Sequence, residues 1–314
     1  MADAESGRES VAHAGPIPRR RLGRAGVEVS ALGLGGYHLG TVQDETEAFR
    51  IVHEAIDAGL TFMDNAWEYL GGRGEELMGR ALAGRRHEVF LMTKVCTHGR
   101  DGRTAMSQLE ESLRRLRTDY LDLWQIHEVI YEDDPDLHFA AGGVVEALER
   151  ARREGKVRHV GFTGHKGTGV LLKMLSHDYA FDACQLPLNC FDATFRSFER
   201  EVLPVLRRRG VAPIGMKSLG GIGAPVKKGS VTAVEALRYA MSLPVATTVT
   251  GIDSLQVLRQ NLGVARGFAP MSAEEMESLR ARCAEEAADG RFEYYKITNQ
   301  VDGPIGKRQR GLPL

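Results

Sequence analysis

Residues 120–163 read YLDLWQIHEVIYEDDPDLHFAAGGVVEALERARREGKVRHVGFT. The two ends of this stretch, 120–128 (YLDLWQIHE) and 157–163 (VRHVGFT), are short apolar runs with the look of strands. Between them, 143–153 reads as a helix. A strand, a helix and a second strand in that order form a parallel crossover unit. Strands that are apolar on both faces belong in a sheet covered on both sides.

The same cycle extends both ways along the chain. Towards the C-terminus, strand 157–163 precedes helix 169–175, strand 183–189 helix 198–208, strand 211–218 helix 231–241, and strand 245–251 helix 254–264. Towards the N-terminus, strand 88–95 precedes helix 104–116, strand 61–66 helix 75–82, and strand 29–36 helix 44–58. In that last helix Ala48, Ile51, Val52, Ala55 and Ile56 recur with the period of one face. Gly59 stands just past its end, where a left-handed cap is wanted.

Eight β/α units in one domain predict a closed α/β barrel, the (β/α)8 or TIM barrel, over an open doubly wound sheet. The open dinucleotide fold would also carry G-x-G-x-x-G after its first strand. This chain has LGLGGYHLG there, with glycines at 33, 35, 36 and 40. Residues 20–29, folded around Gly23 and Gly26, predict a short N-terminal hairpin. An extra helix is expected over 273–288. Residues 1–18 read as a disordered tail and 19–314 as one barrel domain.

Composition narrows the possibilities. The chain has 314 residues and a formal net charge of −1. Near-neutral charge gives no field for steering onto nucleic acid or anionic lipid. The basic runs 19–21 and 207–209 read as solvated faces, the second suiting a helix C-terminus before Gly210. Cys96, Cys184, Cys190 and Cys283 form no C-x-x-C pair, so free buried thiols and a reducing compartment are expected. No uncharged apolar run is long enough to span a membrane, and no apolar signal core opens the chain. The expected location is the cytoplasm.

In such a barrel, function sits at the C-terminal ends of the strands. Those ends carry Asp64, Lys94 and His127, with Tyr69 just after the first of them in DNAWEY. Singly, each could be a packing or surface residue. Jointly they are harder to dismiss, because Asp64 and Lys94 both end apolar strands. An unpaired charge there would be costly, and pairing the two removes the cost.

These four side chains resemble the Asp-Tyr-Lys-His tetrad of aldo-keto reductases. The likeness includes D-x-A-x-x-Y (Asp64, Ala66, Tyr69), the strand-ending Thr93–Lys94, and the histidine one strand later. It runs from about Arg20 to Phe268, through GKVRHVGFTGH at 155–165 and CQLPLN at 184–189. MKSLGG at 216–221 is most similar to the bacterial branch that includes ferredoxin-type members. The Cys-rich motif of those members is absent, so no iron–sulfur centre and no metal are expected. The resemblance implies NAD(P)H-dependent reduction of an aldehyde or ketone. Tyr69 would be the acid, Lys94 would lower its pKa, Asp64 would hold Lys94, and His127 would orient the substrate oxygen.

The resemblance also implies a cofactor site. Thr163 and Gln185 would bind the nicotinamide carboxamide, Met216 would stack beneath the ring, and Lys217 would reach a diphosphate oxygen. Gly35, Gly251, Ser254 and Asn261 complete the pattern. Family members have Ser-Asn where Thr163–Gly164 stand, and His165 could compensate or face solvent. Asp253 stands where the family has the cation that binds the 2′-phosphate of NADP. Arg259 could substitute, so NADP and NAD both stay open. Two rival functions are a cofactor-binding regulatory or redox-sensing barrel and a barrel hydrolase or lyase. The second would need paired carboxylates such as Asp64 with Glu128, and would leave Lys94 and Gln185 unused. The expected partner is a small carbonyl compound, selected by residues 99–103, 129–139 and the tail after Gly290.

Overall fold

The computed structural model describes residues 15–97 and 101–314. An antiparallel hairpin comes first, β1 (Arg19–Arg21) and β2 (Glu28–Ser30), with Arg20 opposite Val29. Eight parallel strands follow: β3 (Leu32–Gly35), β4 (Phe62–Asp64), β5 (Phe90–Val95), β6 (Leu121–Ile126), β7 (Val157–Thr163), β8 (Ala183–Pro187), β9 (Ala212–Met216) and β10 (Thr247–Gly251). Each pairs with the next, and β10 closes the barrel on β3, setting Gly251 beside Gly35.

Helices cover the outside. α1 (Gly36–Thr41) and α2 (Glu45–Asp57) follow β3, α3 (Arg73–Ala81) follows β4, and α4 (Gly102–Leu116) follows β5. α5 (Asp134–Phe139) and α6 (Val144–Arg153) follow β6, and α7 (Thr168–Ser176) follows β7. α8 (Phe198–Glu201) and α9 (Leu203–Arg209) follow β8, while α10 (Ala224–Lys228) and α11 (Ala233–Ser242) follow β9. α12 (Leu255–Ala265), α13 (Ala273–Ala287) and α14 (Pro304–Gln309) end the chain.

Local chemistry accounts for these boundaries. The Asp44 side chain accepts from Thr46 N and starts α2, which buries the five apolar residues expected to share a face. Capping boxes open α11 (Thr232 with Glu235) and α13 (Ser272 with Glu275). The single helix expected over 198–208 is instead two, broken at Val202, because Pro204 has no N–H to continue the ladder. The strand expected over 29–36 is divided at Ala31 into the end of the hairpin and β3.

The core has two shells. Between strands and helices lies the larger one, around Trp124, Phe162, Phe181 and Phe198. Inside the barrel, Phe62, Met92, Leu123, Ala212 and Val249 pack with Leu22 and Val29 of the hairpin, which plugs the N-terminal end. Arg20 corrects the expectation of a wholly solvated basic run. Its guanidinium donates to Met241 O (2.8 Å) and Val245 O (3.1 Å), fastening the hairpin to the barrel floor.

The expected disordered tail lies mostly in residues 1–14, outside the described residues. Its last part needs correction: Ile17 is buried, and Gly267 N donates to Pro16 O. All four cysteines are buried and free. Among the described residues no helix is long and apolar enough to cross a membrane, and no cluster of three metal-binding side chains occurs.

Candidate active site

The fold brings Asp64, Tyr69, Lys94 and His127 together at the C-terminal mouth of the barrel. Asp64 ends β4, Lys94 lies in β5, and His127 follows β6 directly. Lys94 is 1% exposed, and its Nζ lies 2.5 Å from Asp64 Oδ1 and donates to Asn65 O at 2.6 Å. The same nitrogen is 3.4 Å from Tyr69 OH. The rings of Tyr69 and His127 meet edge-on, with centroids 5.8 Å apart.

The loop that carries Tyr69 is fastened from below. Trp67 N donates to Lys94 O, and Trp67 Nε1 donates to Glu111. Arg115 donates to Trp67 O and pairs with Glu75, a buried carboxylate that also accepts from Thr93 Oγ1. Gly72 closes the loop at φ +99°, and a Cβ there would lie 2.4 Å from Arg115 Cζ. Only glycine meets both conditions without strain.

Burial governs the titration of this site. It pushes the Tyr69 phenol well above its ordinary value, and the charges of Asp64, Glu68 and Glu128 add to the effect. Against the expectation of a lowered phenol the net direction is upward, with the Lys94 cation opposing it. Loss of hydration and three carboxylates outweigh one cation. Burial also lowers Lys94 and Lys217 below the usual lysine value, and it holds His165 well below the usual histidine value.

Two glutamates complete the site, and the sequence reading gave neither a role in the tetrad. His127 Nδ1 lies 2.8 Å from Glu68 Oε1, at ion-pair distance although the ring N–H falls off the line of contact. His165 Nδ1 lies 3.3 Å from Glu128 Oε2. The chain's end reaches both acids. Gly303 N donates to Glu128 Oε1 at 2.6 Å, and a Cβ on Gly303 would lie 3.1 Å from both Glu128 Oε1 and Glu68 Oε2. The one available signal was adjacency, since Glu68 precedes Tyr69 and Glu128 follows His127.

The remaining candidates lie on β7 to β10, in the loops after them and in α12. Thr163 and Gln185 are neighbours across β7 and β8, both buried. Gln185 Oε1 accepts from Gln125 Nε2 (3.0 Å), which leaves the amide nitrogen of Gln185 to donate. His165 is buried rather than solvent-facing, and its Nε2 has no partner among the described residues. Met216 ends β9 half-buried. Lys217 follows at φ +56°, its Nζ 5.3 Å from the Tyr295 ring centroid. A Cβ on Gly251 would lie 2.5 Å from His38 Nδ1. Ser254 caps α12 by accepting from Val257 N, so Asp253 is not the cap, and it is exposed. Asn261 is buried in α12. Arg259 is held by Glu54 through two bonds of 2.7 and 2.9 Å, turned to α2.

Residues 31–230 match the model of the Aldo/keto reductase family. The uncharacterized oxidoreductase YqkF of Bacillus subtilis is 26% identical over 85% of this chain and 97% of its own length. Methylglyoxal reductase YeaE of Escherichia coli is 37% identical over 43% of this chain and 45% of its own. A holo-form aldo-keto reductase from Bacillus halodurans superposes with a TM-score of 0.71 at 25% identity, covering 85% of this chain and 96% of that one. An aldo-keto reductase from Klebsiella pneumoniae solved with NADPH gives the same values. A closed parallel barrel of eight strands, a hairpin plug and a match over most of the barrel lead to one conclusion: this chain belongs to the aldo/keto reductase family.

Proposed function

We propose that the protein is an NAD(P)H-dependent oxidoreductase that reduces an aldehyde or ketone to an alcohol, with Tyr69 as the proton donor. The observation that carries this reading is the buried Lys94, held by Asp64 and Asn65 with Nζ beside the Tyr69 hydroxyl. A phenol kept above its ordinary pKa stays protonated through the neutral range, which is the state a donor needs. When that proton moves to the substrate oxygen, Lys94 is in place to stabilise the phenolate left behind. His127, edge-on to Tyr69, stands where it can hold the same oxygen.

The residues at the mouth fit a nicotinamide cofactor. Gln185 offers a donor and His165 Nε2 a buried atom without a partner among the described residues, which together match a carboxamide. Thr163 stands beside them, Met216 is a soft apolar platform, and Lys217 is a cation close to the centre of the site. Gly35, Gly251, Asp253, Ser254 and Asn261 would line the adenosine end. When bound, the cofactor supplies the hydride.

Steady-state assays with NADPH and NADH test this, with methylglyoxal the first aldehyde to try and a wider carbonyl panel after it. Tyr69→Phe is expected to lower kcat by roughly 10²–10⁴, the usual contribution of a positioned acid. Cofactor affinity, read by fluorescence, should barely change. A folded Tyr69→Phe protein with undiminished kcat would reject the mechanism.

A further inference from the structure

Tyr69 stands in a loop whose backbone needs outside support. The three residues after it are all left-handed, Leu70 at φ +53°, Gly71 at φ +66° and Gly72 at φ +99°. Its turn bonds run from Tyr69 N to Ala66 O (3.1 Å) and, longer, from Gly71 N to Glu68 O (3.3 Å). Backbone in sparsely populated conformations persists where its surroundings over-determine it.

Arg115 of α4 is the side chain that joins this loop to the rest of the site. Its Nη1 donates to Trp67 O (2.9 Å) and to Glu75 Oε2 (3.3 Å), and its Nη2 donates to Glu111 Oε1 (2.7 Å). The Trp67 indole donates to the second oxygen of Glu111 (2.7 Å), and its ring centroid lies 5.6 Å from the guanidinium carbon. Glu75, fully buried, accepts in turn from Thr93 Oγ1 (2.6 Å), one residue before Lys94. One guanidinium thus reaches the Tyr69 loop through Trp67 and the Lys94 strand through Glu75. Trp67 N also donates to Lys94 O, so Trp67 is gripped from both sides.

Resting on the carbonyl-reductase reading above, we propose that Arg115 is a positioning residue for proton transfer: its fork holds the Trp67 carbonyl, and through it the Tyr69 hydroxyl, in register with Lys94 Nζ. It acts from the outer helix layer. A planar guanidinium with fixed donors bridges three acceptors at once, whereas an ammonium of the same charge on a flexible stem does not fix that geometry. Arg115→Lys therefore separates charge from shape and keeps a cation beside the buried Glu75.

The experiment measures the single-turnover rate of carbonyl reduction and the cofactor Kd by fluorescence, with NADPH or NADH, whichever the wild type uses. Arg115→Lys is expected to lower the rate by about ten- to a hundredfold, the usual effect of a shift on the order of 1 Å at a reacting group, with Kd barely moved. In Tyr69→Phe, which has no hydroxyl to place, the same substitution should lower the residual rate far less. Hydrogen exchange across residues 66–72 should quicken. Should Arg115→Lys fail to fold, Glu111→Gln weakens one arm of the grip and should give a smaller loss of the same kind. An undiminished rate in the folded variant overturns the proposal, as does exchange that does not quicken. An equal loss in the Tyr69→Phe protein, or a Kd weakened as much as the rate, also overturns it. A wild type that turns over no carbonyl compound defeats the enzymatic reading itself, whereas normal turnover indifferent to Arg115 defeats this assignment alone.

Discussion

Lys94 is a cation enclosed by a barrel, and its partners explain how it can be there. Removing one member of a buried pair typically costs about 3–5 kcal/mol, because the other charge stays behind uncompensated. Lys94→Met should therefore lower stability strongly and turnover with it. It should also raise the Tyr69 pKa further, since burial and carboxylates already push that way and the opposing cation is gone. The double variant Asp64→Asn/Lys94→Met removes both charges and should recover part of the loss. Urea denaturation of the two single variants and the double one checks this, and strictly additive losses would mean that the side chains do not interact. At this scale the sequence was informative about types and less so about surroundings. Asp64 and Lys94 could be singled out because charges that end apolar strands need partners, while Tyr69 and His127 joined them through the resemblance to the aldo-keto reductase tetrad. The sign of the Tyr69 shift could not be read, because it depends on burial and on carboxylates that only the fold brings close.

The helices show where periodicity is reliable and where it stops. α2, α4 and α6 were legible because each is long enough to repeat its buried face. α1, α5, α10 and α14 have six residues or fewer, too few for a repeat to appear. The N-terminus of α12 carries the clearest departure from the family pattern. Free N–H groups at a helix start favour phosphate, yet Asp253 stands exposed just before the Ser254 cap, and Arg259 is engaged by Glu54. Neither residue therefore offers a cation to a 2′-phosphate. Asp253→Arg should shift preference towards NADP by on the order of 1–3 kcal/mol, through relief of repulsion and a new charge-assisted contact. The shift should shrink at high salt, because the site is exposed. The ratio of kcat/KM for the two cofactors, in wild type and variant, measures it. An unchanged ratio in a folded, active variant would show that Asp253 does not read the 2′ position.

Across the whole molecule, the chain's end is part of the site. Lys296, fully buried, bonds Asp192 and Glu293, and Tyr295 OH donates to Glu293. Further on, Asp302 bonds Lys166 and accepts from Tyr131 OH, Gly303 reaches Glu128, and Arg310 pairs with Asp133 and Asp134. The sequence reading assigned the tail after Gly290 to substrate selection, and that tail carries no helical or strand periodicity. Much of its order comes from contacts with residues more than a hundred positions away, which local pattern cannot show. Asp302→Ala should release the middle of this segment, costing roughly 1–3 kcal/mol for the bonds lost and the groups left unpaired. Tryptic cleavage at Lys307, Arg308 and Arg310 should quicken, and KM for carbonyl substrates should rise more than the cofactor Kd. Unchanged cleavage and KM would place the anchor elsewhere.

The hairpin at the other end of the barrel bears on how the chain is made. Arg20 binds Met241 O and Val245 O, while Arg24 binds Phe181 O and Gly210 O. Leu22 and Val29 are buried only once a barrel floor exists to receive them. The hairpin, which precedes every barrel strand in the chain, is thus among the last segments to find its partners. At roughly 5–20 residues per second, tens of seconds separate synthesis of Arg20 from synthesis of Val245. Through that interval two apolar side chains and an arginine latch wait in water, and a nascent chain arrested before β10 would carry its own plug unseated.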